Sequence, residues 1–401
     1  MERLISFLGI FIILFIAWCC SENRRKMDWR LIATGMLLQF AIALLLFQTE
    51  IGTRIFGAAN AFFTKLIQFS NEGAIFVFGE NLVKTTLAFS ILPTVIFVST
   101  LSGILFYLGI LQKLIAAVAW IMVRVMNVSG LESLAASANV YIGMTEAPII
   151  VRPYLATATR SEILAIMSSG MATIAGGVMA AYIGMGASAG HLLTASLMSA
   201  PAALVIAKIL IPETEDPLTR GTVRIHPPKN SINLLDAACR GASDGLGLAL
   251  NIGVMLLAAV SLISLCNWFF TIFPEINGSA LTLQRIFGWF FAPFAFIMGV
   301  PSSDILTVGS LLGEKTVLNE FIAYVDLTEL HKQGLLSARG FIIAQYALCG
   351  FANFGSMAIM VGGISQLVPE RRDDLARLAL RSLIVGTLAS FCTACVAGIF
   401  I

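Results

Sequence analysis

Long apolar runs alternate with short polar ones along this chain. Residues 4–20, 31–47, 85–112, 245–274, 340–369 and 382–401 contain no Asp, Glu, Lys or Arg. As helices, each is long enough to approach or cross the roughly 30 Å hydrocarbon core of a bilayer. The run 163–207 has room for two helices, with Gly186-Ala187-Ser188-Ala189-Gly190 as the turn. Residues 50–70, with Arg54 and Lys65 among Ile, Phe and Leu, and residues 111–126 have the two-faced pattern of helices lying in the interface. The pattern predicts an all-α polytopic membrane protein.

The second half of the chain restates the first. The long span 245–274 answers 85–112, and Leu283-Gln284-Arg285 opens an amphipathic stretch as Leu111-Gln112-Lys113 does. Asn319-Glu320-Phe321 stands where Thr145-Glu146-Ala147 stood, and 340–369 and 382–401 match the two helices within 163–207. This gives four parts: scaffold and interfacial helices in 1–85, a first repeat with a re-entrant hairpin in 86–211, a loop and interfacial helix in 212–243, and a second repeat with its own hairpin in 244–401. Each repeat crosses three times, so the two insert with opposite topology. Residues 286–303 are also free of charge, but the repeat makes them an external interfacial helix, leaving about eight transmembrane helices and two hairpins.

Charge sets orientation. Arg24, Arg25, Lys26 and Arg30 follow the first span, and Arg371, Arg372, Arg377 and Arg381 precede the last, so both loops are expected in the cytoplasm and both termini outside. Residues 212–232 carry Pro212, Pro217, Pro227, Pro228, Arg220, Arg224 and Lys229, a polar cytoplasmic boundary between the halves. The N-terminal run is not expected to be a signal peptide, because its positive charges mostly follow it and no small-residue cleavage site is present. Hydrophobic residues make up 58% and charged residues 12%, with a mean hydropathy of +0.90, which excludes an ordinary soluble enzyme. A net charge of +2 without a basic block gives no reason to expect a nucleic-acid partner.

Candidate chemistry sits in the interruptions. Glu146 lies between Gly143 and Pro148, which break the helical ladder, and a carboxylate at membrane depth usually faces a cavity or a partner. Glu320 is its equivalent at the second hairpin tip. Two tips meeting at mid-membrane could offer carboxylates to the hydroxyls and N–H groups of a polar solute. Further breaks are expected at Ala172-Thr173-Ile174-Ala175-Gly176-Gly177 and at Phe351-Ala352-Asn353-Phe354-Gly355-Ser356. There Asn353 and Ser356 share a helical face, and Phe351 adds an aromatic surface; glycines for close helix packing remain the alternative. Asp304 is expected to cap the first helix of the second hairpin. Cys392-x-x-Cys395 lies in the last apolar run and reads as core, and His191, His226 and His331 lack metal-ligand spacing. No phosphate loop, nucleophile elbow or zinc signature is present.

From Asn71 onward the chain resembles the concentrative nucleoside transporters, the sodium- or proton-coupled nucleoside symporters. The resemblance rests on Asn71-Glu72-Gly73 with Phe76-Val77-Phe78-Gly79, and on Gly143-x-Thr145-Glu146-Ala147-Pro148 continuing to Arg152-Pro153-Tyr154. It rests also on Leu192-Leu193-Thr194-Ala195-Ser196-x-Met198-Ser199-Ala200-Pro201-Ala202, Gly313-x-Lys315-x-x-x-Asn319-Glu320-Phe321-x-Ala323 and Gly350-Phe351-Ala352-Asn353-Phe354.

The resemblance implies a homotrimer whose transport domains move as elevators against a scaffold. It implies that Thr145, Glu146 and Val178 face the nucleobase, and that Glu320, Phe351, Asn353 and Ser356 bind mainly the ribose side. Met144 stands where the family usually has Gln, and a thioether cannot donate a hydrogen bond, so base preference is left open. Sodium-coupled members place their ion where this chain has Asn139 and Thr173, with the carbonyls of Ile142 and Ile174 completing an oxygen cage. No cofactor beyond a coupling ion is implied. The length of the N-terminal region matches bacterial relatives better than animal ones, which points to a bacterial inner membrane.

The expected activity is sodium-coupled import of nucleosides. Proton coupling and nucleobase transport stay as alternatives, and a membrane enzyme using Glu146 and Glu320 as acid and base is a third.

Overall fold

The computed structural model describes residues 1–221, 231–276, 278 and 280–401; Arg224, His226, Pro227, Pro228 and Lys229 of the expected boundary loop lie outside the described residues. Among the described residues there are helices and no strands, as the apolar pattern requires.

The chain opens with two apolar helices, α1 (Glu2–Cys19) and α2 (Trp29–Gln48). The Asp28 carboxylate starts α2 by accepting from the backbone N–H groups of Arg30 and Leu31 at 2.9 and 3.1 Å. Helix α3 (Glu50–Phe78) contains the expected interfacial stretch but continues to Phe78, because no proline and no left-handed glycine occurs before Gly79, whose φ is +82°. After α4 (Glu80–Thr85) comes the span α5 (Leu87–Tyr107); Gly109, with φ +76°, then turns the chain into the amphipathic α6 (Ile110–Met126).

The first hairpin follows. Its inward arm is α7 (Gly130–Asn139), its tip is 140–146, and it returns as two short turns, α8 (Ala147–Ile150) and α9 (Arg152–Leu155). Pro148 and Pro153 each start one of these turns, which is why the returning arm is not one helix. Helix α10 (Arg160–Ala172) then begins beside the start of α7, where Ser129 Oγ donates to Glu162 Oε1 at 2.6 Å. Ser129 and Thr159 each close a capping box, with Glu132 and Glu162. The chain therefore leaves and re-enters the same end of the molecule. Thr173, Ile174 and Ala175 separate α10 from α11 (Gly176–Met185), and a turn at 186–188 leads to α12 (Ala189–Leu210).

Helix α13 (Leu234–Phe270) departs from expectation, since the interfacial helix and the span after it form one element of 37 residues. Asn233 caps it, and Asp236 pairs with Arg240 at 3.1 Å one turn on, so nothing breaks the ladder between them. At about 1.5 Å per residue it is far longer than the hydrocarbon core needs. It crosses α5 closely: a Cβ on Gly241 would lie 2.7 Å from the Ser99 carbonyl oxygen.

The second hairpin is α15 (Ile305–Val317) and α16 (Glu320–Lys332), preceded by α14 (Leu283–Ile297). With 15 residues, α14 is too short to cross the bilayer, in keeping with an interfacial position for 286–303. Asp304 corrects its expected role. Its carboxylate does not cap α15; Oδ2 accepts from Ser337 N at 3.0 Å and from Ser337 Oγ at 2.5 Å, at the start of α17 (Ala338–Leu348). The base of this hairpin is thus closed as Ser129 and Glu162 close the first. Residues 349–353 interrupt the path to α18 (Phe354–Leu367), and α19 (Arg372–Phe400) ends the chain.

Seven segments among the described residues are long and apolar enough to cross a membrane, with α10 and α11 counted together. The interrupted pair α17 and α18 covers the apolar run 340–369, the remaining stretch expected from the sequence as a crossing. Helices α10 to α12 form the centre, 89% buried across their most apolar stretches, whereas that of α13 is only 12% buried and leaves its apolar face outward. Cys392 and Cys395 are buried core residues that form no disulfide. His191 packs against Phe56 and Tyr346, and His331 stacks on Phe341.

Candidate substrate and ion site

Four interrupted segments converge. The Tyr141 carbonyl at the first hairpin tip accepts from Gly176 N at 3.3 Å, joining the tip to the first helix break. In turn the Thr173 carbonyl accepts from Phe351 N at 3.3 Å, joining the first break to the second. Asn353 Nδ2 then donates to Glu320 Oε2 at 2.8 Å, joining the second break to the second hairpin tip. Irregular backbone of this kind is stable at membrane depth only when it is enclosed by protein or lines a wet cavity.

Glu320 is the first residue of α16, where the helix dipole favours negative charge. Asn319 caps the helix, accepting from Ile322 N at 3.0 Å. The Glu320 side chain is buried, and each oxygen meets one donor: Tyr182 OH at 3.0 Å and the Asn353 amide. An ionised carboxylate has about four acceptor positions, so capacity remains for the hydroxyls of a solute. Asn353 serves both sides, because its Oδ1 accepts from Ser356 N at 2.7 Å and so starts α18. Phe351, at the same break, is half-buried.

Around the first tip, Met144 sits over α10; a Cβ on Gly170 would lie 2.9 Å from Met144 Cβ. Thr145 faces α18, its Cγ2 being 3.2 Å from the Cβ position of Gly363. Glu146 is exposed and folds back over Gly143, where only a residue without a Cβ leaves room for its carboxylate. Glu146 and Glu320 share no hydrogen-bond partner among the described residues. Val178 is buried on α11, one turn before Tyr182.

Two of the expected ion ligands, Asn139 and Thr173, meet at Ser169. Asn139, the last residue of α7, is buried and donates from Nδ2 to Ser169 Oγ at 3.0 Å, while its Oδ1 meets no donor among the described residues. The Thr173 hydroxyl donates to the Ser169 carbonyl at 2.9 Å, leaving its oxygen lone pairs available. An orphaned buried amide oxygen costs about 1–3 kcal/mol unless something electropositive meets it. Asn139 Oδ1 and Thr173 Oγ1, with carbonyls of the adjacent irregular segments at Ile142 and Ile174, are the neutral hard oxygens that suit sodium.

Three residues escaped the sequence reading. Tyr182 donates to Glu320, and its spacing of four from Val178 is the only signal that could have found it. Ser169 lies four before Thr173 on α10. Lys315 stood inside a quoted motif without a role; it is buried, and Nζ donates to the Ala347 carbonyl in the last turn of α17 at 2.8 Å and to Ser390 Oγ at 3.4 Å.

Three family descriptions match the chain in sequence order. They are the Na+ dependent nucleoside transporter N-terminus over 8–81, nucleoside recognition over 88–189, and the Na+ dependent nucleoside transporter C-terminus over 191–398. Solute carrier family 28 member 3 of Mus musculus is 42% identical over 99% of this chain, which spans 59% of that longer protein. An uncharacterized transporter, YutK of Bacillus subtilis strain 168, is 39% identical with both chains covered fully. The solved structure of CNTnw in an inward-facing substrate-bound state is 37% identical, covers 100% of this chain and 98% of that one, and superposes with a TM-score of 0.91. A CNTnw variant in an outward-facing state, 36% identical over 100% of this chain and 99% of that one, gives 0.93. The chain belongs to the Na+-dependent nucleoside transporter family.

Proposed function

We propose that this protein imports nucleosides together with sodium by alternating access, the two hairpins and the two helix breaks travelling together as an elevator. One observation carries this reading: the four interruptions are hydrogen-bonded into a single constellation that joins the Glu320–Tyr182–Asn353 network to the segment holding the orphaned Asn139 oxygen. A polar solute held between the hairpin tips and a cation beside the first break would share Thr173 and its neighbours as a common wall, which gives the two ligands a physical route to coupling. Likeness to both an inward-facing and an outward-facing relative supports motion between such states.

In this arrangement Glu320, Asn353, Ser356 and Phe351 receive the ribose. Thr145, Glu146, Val178 and Met144 face the base, and Asn139, Ile142, Thr173 and Ile174 supply oxygens to sodium. The matching closures, Ser129 with Glu162 and Asp304 with Ser337, support two inverted repeats, 86–211 and 244–401, and a count of eight crossings. Apolar faces of α5 and α13, 22% and 12% buried along their spans, suit lipid and the neighbouring copies of a homotrimer. The basic loops, read as cytoplasmic, support an orientation with both termini on the outer side, and we assign the protein to a bacterial inner membrane.

Uptake by proteoliposomes, with the common nucleosides and free bases as competitors, tests the substrate class. Competition by nucleosides above all is expected. Competition by bases alone, or chemical change of the solute during uptake, would overturn the reading.

A further inference from the structure

Away from this constellation, Glu314 on α15 and Asp326 on α16 stand on the two arms of the second hairpin, each six residues from Glu320. Their carboxyl groups face each other within hydrogen-bonding reach. Glu314 is 2% exposed, and its Oε2 has no hydrogen-bond donor among the described residues. Both line a cavity of about 580 Å3 between α14 and the hairpin, whose wall also carries Gln284, Arg285, Glu329 and Gln333, a lining polar and roomy enough to hold water.

Two carboxylates in contact cannot both be ionised without strong repulsion, and one shared proton removes it. A metal ion is the other possible bridge. Nowhere among the described residues do three or more His, Cys, Asp or Glu side chains converge to hold one, so the geometry favours the proton.

Other charged groups of the neighbouring elements are placed as follows. Glu329 accepts from Gln333 at 2.8 Å, and Arg285 of α14 donates to the carbonyls of Ala280 and Ile276 and lies over Trp289. Lys315 turns to Ala347, His331 stacks on Phe341, and Lys332 ends α16. Arg339 of α17 donates to the carbonyls of Gly299 and Gly398. Residues 245–270 of α13 and all of α11 carry no charge.

We propose that Glu314 and Asp326 form a proton-binding dyad that fastens the arms of the second hairpin together and makes the hairpin's stability depend on pH, independently of the sodium ligands. The O–H of one carboxyl donates to the carboxylate of the other, and water in the cavity delivers and removes the proton. In the unfolded chain these carboxyls ionise near pH 4. The contact between the two carboxyls requires the shared proton, so its stabilisation is complete at low pH and is lost once rising pH removes that proton.

Melting of the purified full-length protein in detergent reads this without a transport assay. From about pH 5 to about pH 9, the range within which buried carboxyls titrate, the wild-type Tm is expected to fall by about 3 °C or more. Glu314→Gln and Asp326→Asn replace the proton by a permanent amide donor, so each should at least halve that fall, and the double variant should flatten it no further. A second readout is the infrared carbonyl stretch of protonated carboxyls, with a titrating band expected in the wild type and missing from Asp326→Asn. Parallel curves for wild type and both variants, or no titrating band, would overturn the proposal. So would a high-pH loss that added sodium restores, because the pair would then hold a metal ion.

Discussion

Asn353 is bound to Glu320 at 2.8 Å through its amide nitrogen while its oxygen starts α18. One side chain therefore fixes both the second helix break and the tip of the second hairpin. On the proposed assignment, a solute hydroxyl bound to Glu320 would join a network already oriented by Tyr182 and Asn353, so filling the site would need little reordering.

Glu320→Gln keeps the shape and removes the charge. Charge-assisted hydrogen bonds exceed neutral ones, and the loss for ribosides should be about 1.5–3 kcal/mol, or roughly tenfold to a hundredfold in affinity. Free bases, if bound at all, should be little affected. Equal losses for ribosides and bases would show that Glu320 does not hold the ribose.

Tyr182→Phe deletes the 3.0 Å bond to Glu320 but keeps the ring stacked on Tyr324, with centroids 4.2 Å apart. A donor to a carboxylate is worth about 1.5–3 kcal/mol, but Tyr182 acts on the solute only through Glu320, so riboside affinity should fall less than in Glu320→Gln, about fivefold, with little change in fold. Combined with Glu320→Gln, the two losses should be less than additive, because both act through one network. Full additivity in binding measurements contradicts the coupling.

Met144→Gln should change preference among bases and leave the sodium dependence alone. A thioether supplies packing, whereas an amide supplies directed hydrogen bonds. The same competition panel checks this, and an unchanged ranking would place residue 144 away from the base.

Gly350→Ala tests whether the crossed breaks are structurally required. Gly350 has φ +152°, and a Cβ there would lie 2.8 Å from the Met171 carbonyl oxygen. Strain and overlap should together cost about 2 kcal/mol or more, read as a lower Tm. Gly362→Ala, where a Cβ meets nothing within 4 Å, is the control and should change Tm little.

The breaks and the first tip were legible because Gly or Pro interrupts long apolar runs there, and the second tip because Glu320 stands in the second repeat where Glu146 stands in the first. Run length located seven segments that are long and apolar enough to cross a membrane among the described residues. Less visible were features that depend on contact. Tyr182 looks like an ordinary aromatic residue of an apolar helix until Glu320 is placed beside it. Asp304 has the position of a helix cap, and only the fold brings Ser337 to its carboxylate. The continuity of α13 was hidden by Asp236, Arg240 and Asp244, charges that mimic a loop edge although Asp236 and Arg240 pair along the helix. Asn139 was legible by resemblance, but its unmatched oxygen became visible only with Ser169 in place.

Sodium coupling is the central claim, and uptake by sealed proteoliposomes tests it most directly. Nucleoside accumulation is measured under an inward sodium gradient with no pH gradient, then under an inward proton gradient without sodium, for the wild type and for Asn139→Ala. Accumulation above the outside concentration with sodium alone is expected, with a sodium requirement raised about tenfold or more in Asn139→Ala, as the loss of one ion ligand implies. Accumulation driven by protons alone, indifferent to sodium and to residue 139, would contradict the account.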